Sequence, residues 1–161
     1  MERKKWVIFQ VETEEYAIEV GRVISIERTE PFTPIPQLPE YVKGIMKVRN
    51  ELVPVVDLRK VLYEKDEQEN ESVRIIVLKT NRMPIALLVT EAKELIETEE
   101  GNEKQVGLIN YKQTAFFKSV IQLQNRLITV IDSDVLIETL DGIREIYTYM
   151  EEQRKPTAAE Y

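Results

Sequence analysis

Between Trp6 and Ile131 the chain alternates short apolar runs with polar breaks, at intervals of roughly 8–12 residues, the spacing of a small barrel or sandwich. Trp6–Glu12 is β-branched and aromatic and reads as a strand. Thr13-Glu14-Glu15 is a polar turn, and Tyr16–Val20 completes a hairpin. Val23–Glu27 is a third strand. Tyr41–Val48 and Leu52–Leu58 form a closing pair around Arg49-Asn50-Glu51, where Asn suits a tight turn because it tolerates positive φ. The order then repeats with Arg74–Lys79, Pro84–Val89, Glu91–Glu97, and a closing pair Phe117–Gln124 and Arg126–Ile131 around Asn125.

The repetition extends to residue identity. Tyr41–Leu62 recurs in weakened form at Phe116–Ile137, a gapless offset of 116 − 41 = 75 residues held through Lys43/Lys118, Asn50/Asn125, Leu52/Leu127, Val55/Val130 and Asp57/Asp132. One offset kept through apolar and turn positions alike marks a duplicated structural unit. Two related lobes enclose a seam, a favoured place for ligands and partners. The expected division is subdomain one over about residues 6–66, then subdomain two over about 72–135. Polar Tyr63–Ser72 is read as the boundary, and Thr98–Gln105 as an acidic loop.

Two stretches break the strand pattern. Pro31–Pro39 holds four of the seven prolines; lacking the N–H a central strand needs, it is expected to be an ordered, extended connector. Beyond Ser133, the spacing of Val135, Leu136, Leu140, Ile143, Ile146 and Tyr147 predicts a C-terminal helix over about 134–152, capped by Ser133 or Asp134, with Gly142 interrupting it. Its expected role is to cover an open barrel end, and residues 153–161 are expected to form a flexible tail.

Composition narrows the chemistry. With 22 basic against 29 acidic residues the net charge is −7, and the bases are scattered, which argues against nucleic acid as a partner. The five-residue run Ile85–Val89 falls far short of the roughly 18 residues that span a bilayer. No secretion signal is read at the start, so a cytoplasmic protein is expected. The chain has no Cys and no His, which excludes disulfides, thiolate nucleophiles, cysteine-ligated metal and any Ser-His-Asp triad. Asp57 and Asp132 each close an apolar strand; they are read as structural carboxylates that accept backbone N–H groups. A hydrolase using the two together would require them to lie close in space. No catalytic residue, metal or cofactor is expected.

Thr33–Arg59, with Val42-Lys43-Gly44-Ile45, Arg49 and Val53-Pro54-Val55-Val56-Asp57-Leu58-Arg59, resembles the CheW-like coupling proteins of bacterial chemotaxis. Glu14–Val20 looks like that family's opening hairpin, and Arg74–Val89 like the start of its second half; together the resemblance covers roughly residues 6–140, within a single domain over 6–145. It implies an all-β fold of two five-stranded SH3-like barrels related by duplication, plus the C-terminal helix. It also implies a non-enzymatic scaffold joining the regulatory domain of a CheA-type histidine kinase to the cytoplasmic tips of chemoreceptors, at the inner face of the membrane. The residues it implicates are Val23, Ile24 and Gly44 on the kinase side, and Val48, Arg49 and Asn50 on the receptor side at the seam. Val23 and Ile24 equally suit barrel core. At Gly44, the missing side chain would let a partner backbone approach closely. The family's Asn-Leu-Arg-Gly turn reads Lys47-Val48-Arg49-Asn50 here, which requires left-handed dihedrals at Asn50. Ser25 stands where an acid is usual; Glu27, on the same strand face, is the alternative partner for Arg49. Other readings are a paralogue serving another chemosensory array, such as one for surface motility, and a nucleic-acid-binding small barrel.

Overall fold

The computed structural model describes residues 3–105 and 114–154. Among the described residues, eleven strands form two sheets. In chain order they are β1 (Lys4–Val11), β2 (Glu14–Glu19), β3 (Val23–Arg28), β4 (Val42–Val48), β5 (Glu51–Asp57), β6 (Arg74–Leu78), β7 (Ile85–Val89), β8 (Glu91–Thr98), β9 (Glu103–Gln105), β10 (Phe117–Leu123) and β11 (Arg126–Ile131). Three α-helices accompany them: α1 (Leu58–Tyr63), α2 (Ser133–Thr139) and α3 (Ile143–Arg154). The six-stranded sheet runs β8-β1-β2-β11-β10-β9 and the five-stranded sheet β3-β6-β7-β5-β4.

Duplication is written into the pairing. β5 pairs with β7 in parallel through Val55↔Ala86, and β11 pairs with β2 in parallel through Val130↔Ala17. The closing strands are therefore related by 130 − 55 = 75 residues, and the hairpins they lean on by 86 − 17 = 69. These are the two SH3-like subdomains that the resemblance implies, and the duplication read from the pattern.

Their membership differs from the expected 6–66 and 72–135. The hairpin β1–β2 belongs with β8–β11, and β3–β5 pair with β6–β7, so one lobe is the continuous stretch 23–89 and the other is assembled around it from residues 4–19 and 91–131. Each copy contributes its hairpin to one sheet and its remaining strands to the other. Strand periodicity is satisfied equally by pairing within a copy or between copies, because either choice buries the same alternating side chains.

The hairpins are buried on both faces, which explains their near-continuous apolar runs. Because side chains alternate along a strand, Trp6 and Ile8 point into one barrel with Ala17, Ile121, Ile128 and Val130, while Val7, Phe9 and Val11 face the seam. On the other side Ile75 and Val77 fill the second barrel with Val53, Val55 and Leu88, and Ile76 and Leu78 face the seam. The largest apolar cluster thus lies between the lobes.

Three local expectations change. The helix expected over 134–152 is two helices, broken at Leu140-Asp141-Gly142; Gly142 has φ 83°, and Pro39 Cγ lies 3.0 Å from where a Cβ would sit. The break turns α3 so that Ile143, Ile146, Tyr147 and Met150 join the seam core, rather than closing a barrel end. Leu58–Tyr63 forms a helix inside the 23–89 lobe, so Tyr63–Ser72 is no boundary. Within Thr98–Gln105, a 3-10 turn at Glu100–Asn102 leads into β9, which pairs with β10, and buried Thr98 accepts the Trp6 indole N–H at 2.7 Å. The proline connector is ordered: Thr33 exchanges two 3.0 Å backbone bonds with Ile45, and Ile35 and Leu38 pack against the seam core. The expected tail falls largely on 155–161, outside the described residues.

Candidate partner-binding surfaces

A groove of about 1140 Å³ opens between the lobes. Tyr41, Leu62 and Tyr63 line it from the 23–89 lobe, Phe116 and Phe117 from the other, and Leu140 from the end of α2. Its aromatic floor is continuous with the core: Phe9, Tyr16 and Phe117 stack in sequence at 6.0 and 6.4 Å between ring centroids, and Phe116 tilts against Phe117 at 4.6 Å. The Tyr16 and Tyr63 hydroxyls are hydrogen-bonded across the seam. Burial pushes the Tyr16 hydroxyl pKa well up, and the Tyr63 contact pushes it further. Tyr41 is raised likewise by burial, then by the Asp141 carboxylate nearby; its hydroxyl donates to the Asp141 carbonyl at 2.6 Å. The Tyr16 and Tyr41 hydroxyls are thus held protonated and in place, and the lining also includes Glu40, Glu64, Asp141 and Lys60, with Lys60 3.6 Å from Glu40.

Tyr41 and Phe116 are the opening residues of the sequence repeat, and they meet on this groove. That aromatic pair was the signal available in the sequence. Tyr63, read as the first residue of a polar boundary, carried no such signal.

The residues singled out from the sequence fall elsewhere. Val48, 5% exposed, is core of the 23–89 barrel and does not reach the seam. Arg49 and Asn50 form the exposed β4–β5 turn and do not line the groove. Both adopt left-handed backbone, φ 50° and 69°, which accounts for Asn in place of Gly. Glu27 accepts a 2.7 Å hydrogen bond from the Ser25 hydroxyl on its own strand. No ion pair joins it to Arg49 among the described residues.

Gly44 is buried, with φ 151°, and a Cβ there would stand 2.5 Å from the Thr33 carbonyl oxygen. The backbone that approaches Gly44 is the chain's own connector, not a partner's. Val23 is half-buried against the seam core. Ile24 is 38% and Ile26 41% exposed on β3, the terminal strand of its sheet. Leu95, 66% exposed, sits at Ile26's equivalent position, 95 − 26 = 69 residues on; Ile26 pairs with Ile76 and Leu95 with Val7.

Asp57 is fully buried, and its carboxylate accepts the N–H groups of Lys60 at 3.3 Å and Glu67 at 2.8 Å. Asp132 accepts from Asp134 and Val135 at 3.1 and 3.2 Å. Each caps the helix after its strand, in a different lobe. Among the described residues no carboxylate cluster suited to a metal ion occurs, and no helix is long and apolar enough to cross a membrane.

A profile of the CheW-like domain matches residues 5–141. The chain belongs to the CheW-like domain family. It is 29% identical over 136 residues to Chemotaxis protein CheW of Bacillus subtilis, covering 84% of this chain and 87% of that one. It is 27% identical over 133 residues to Chemotaxis protein CheW of Thermotoga maritima, with 82% and 86% covered. The crystal structure of scaffolding protein TtCheW from Thermoanaerobacter tengcongensis superposes with a TM-score of 0.76 at 25% identity, covering 88% of this chain and 92% of that one. The paired barrels are thus the architecture of CheW scaffolds, and the groove and the β3 edge are features of a CheW-like domain.

Proposed function

We propose that this chain is a non-catalytic cytoplasmic adaptor that couples chemoreceptor tips to the regulatory domain of a CheA-type histidine kinase. The observation that carries the reading is the CheW-like domain match over residues 5–141, on a body with two separate surface features that suit protein partners. One feature is the inter-lobe groove, a concavity of aromatic and charged lining walled by both lobes. It suits the end of a helical hairpin, whose apolar residues enter a groove while its polar ones stay at the rim. The other is the outer face of β3, where Ile24 and Ile26 offer apolar contact to a barrel of the kinase, with Val23 behind them. Gly44 lies on β4, at the opposite end of that sheet, where it seats the connector.

Arg49 stays in the reading as a partner contact. A non-glycine residue in left-handed backbone is a costly arrangement, and such sites cluster where function holds them. Receptors would bring the adaptor to the inner face of the membrane, where simultaneous engagement of two modest contacts strengthens both.

Co-purification with a receptor cytoplasmic fragment and with the kinase regulatory domain tests the proposal. Tyr63→Ala is expected to lose the receptor fragment and keep the kinase domain, and Ile24→Asp the reverse. Failure of the native chain to retain either fragment would overturn the adaptor reading.

A further inference from the structure

Arg59, the second residue of α1, reaches out of its own lobe. Its Nε donates to Glu12 Oε1 at 2.8 Å, in the β1–β2 turn of the other lobe. Nη1 donates to the Asp66 carbonyl at 3.1 Å and lies 3.8 Å from Glu67 Oε1. The Glu67 side chain, only 3% exposed, accepts from the Thr90 hydroxyl at 2.6 Å. Thr90 is the single residue between β7 and β8, where the chain crosses back between lobes. Its hydroxyl oxygen accepts the Glu12 N–H at 3.2 Å, and its own N–H donates to the Gln10 carbonyl at 3.0 Å. Glu67 N–H closes the circuit on Asp57, the cap of the helix that carries Arg59. Arg59 has its two acidic neighbours in hand at 18% side-chain exposure; the pairing with Glu12 holds its guanidinium pKa up against burial.

We infer that Arg59 is a positioning residue: it locks the two lobes at one fixed angle and so sets the width of the groove. Lys60–Tyr63 of the same helix form one wall of the groove, and Phe116 and Phe117 of the other lobe form the opposite wall. What ties α1 to the other lobe therefore sets the gap. The seam core contributes most of the attraction, but apolar burial is non-directional and tolerates sliding. Charge-assisted hydrogen bonds from a planar guanidinium are directional and do not. The Tyr16–Tyr63 contact holds the far end of α1, and Arg59 holds the near end. The groove's use as a partner site is the reading proposed above; the lock itself is measured without any partner.

The native chain contains no Cys, so spin labels at Lys47→Cys and Gln122→Cys, exposed equivalent positions in the two lobes, report the inter-lobe distance by double electron–electron resonance. The native pair is expected to give one narrow distribution. Arg59→Met and Glu12→Gln are each expected to broaden and shift it. Arg126→Met is expected to leave it unchanged, because Arg126 pairs with Glu15 and Glu94 inside one lobe. Superimposable distributions for folded Arg59→Met and native protein would overturn the lock. Should Arg59→Met not fold, the milder Glu12→Gln decides alone, and a native-like distribution there overturns it equally. A native chain that holds its distance but binds no receptor fragment would sink the adaptor reading and leave the lock standing.

Discussion

Asp57 and Asp132, 75 residues apart, end their strands with nearly the same backbone setting, φ/ψ of −80°/103° and −80°/105°, and each turns its carboxylate onto the first turn of the following helix. The duplicated devices differ in their further partners: Lys43 Nζ lies 3.6 Å from the Asp57 carboxylate. Asp57 also holds the N–H of Glu67, from the acidic stretch after α1, whereas the bonds to Asp132 stay within α2. Removing a helix cap costs about 1 kcal/mol, and stranding a buried donor costs about 1–3 kcal/mol more. Asp57→Ala is therefore expected to destabilise by about 2–4 kcal/mol, and Asp132→Ala by about 1 kcal/mol. Urea denaturation of both variants checks this, and equal losses would contradict the extra role of Asp57.

Gly44→Ala places a methyl group 2.5 Å from the Thr33 carbonyl oxygen in backbone that side chains rarely adopt. The expected cost is at least about 2 kcal/mol from strain alone. Because the displaced group is the connector, limited proteolysis should cut newly within residues 31–39. Kinase-domain binding lost with stability and protease resistance unchanged would instead place Gly44 in direct contact with the partner.

The strands other than β9, the positions of both turns and the duplication were legible because each rests on local chemistry: alternating apolar residues, an Asn in each turn, a carboxylate at a strand end. Only Asn50 itself takes positive φ; in the second turn that backbone falls on Gln124. Lobe membership was not. β3 satisfies its pattern beside β1 or beside β6, and only the three-dimensional pairing decides. Val48 and Gly44 show the same limit. The motif that names them is local, but whether they face a partner, a barrel interior or the chain's own connector depends on residues such as Thr33 that the motif does not include. The groove was half visible, in the Tyr41/Phe116 equivalence. The Arg59–Glu12 contact, 47 residues apart in sequence, had no signal there.

Arg49 occupies left-handed backbone and has no hydrogen bond or ion pair with another described residue. Left-handed backbone costs a side chain roughly 1–2 kcal/mol and costs glycine almost nothing. Arg49→Gly is thus expected to preserve stability or raise it slightly. If Arg49 is kept for a partner, the same variant should weaken capture of the receptor fragment. Thermal unfolding and co-purification of one sample separate the two effects; lower stability with undiminished capture would make Arg49 a structural residue.

Glu15 is tied to Arg126 by two bonds, 3.1 Å from Nε and 2.8 Å from Nη2. The Arg126 hydrogen bonds hold the Glu15 carboxyl below its ordinary value of 4.5, outweighing burial, with Lys93 adding to the effect. A carboxylate whose pKa is lowered by folding stabilises the fold above its unfolded value, and that contribution disappears as the pH falls through the lowered one. Glu103 acts in the same direction: burial alone would raise it, but the Ser119 hydroxyl and Lys4 outweigh burial. The unfolding temperature is expected to fall below about pH 4.5, and Glu15→Gln to flatten part of that acid limb while lowering the plateau near neutrality. Arg126 keeps Glu94 at 2.7 Å, so the variant leaves no stranded cation to confuse the comparison. An acid limb of native steepness in Glu15→Gln would assign the loss to other carboxylates.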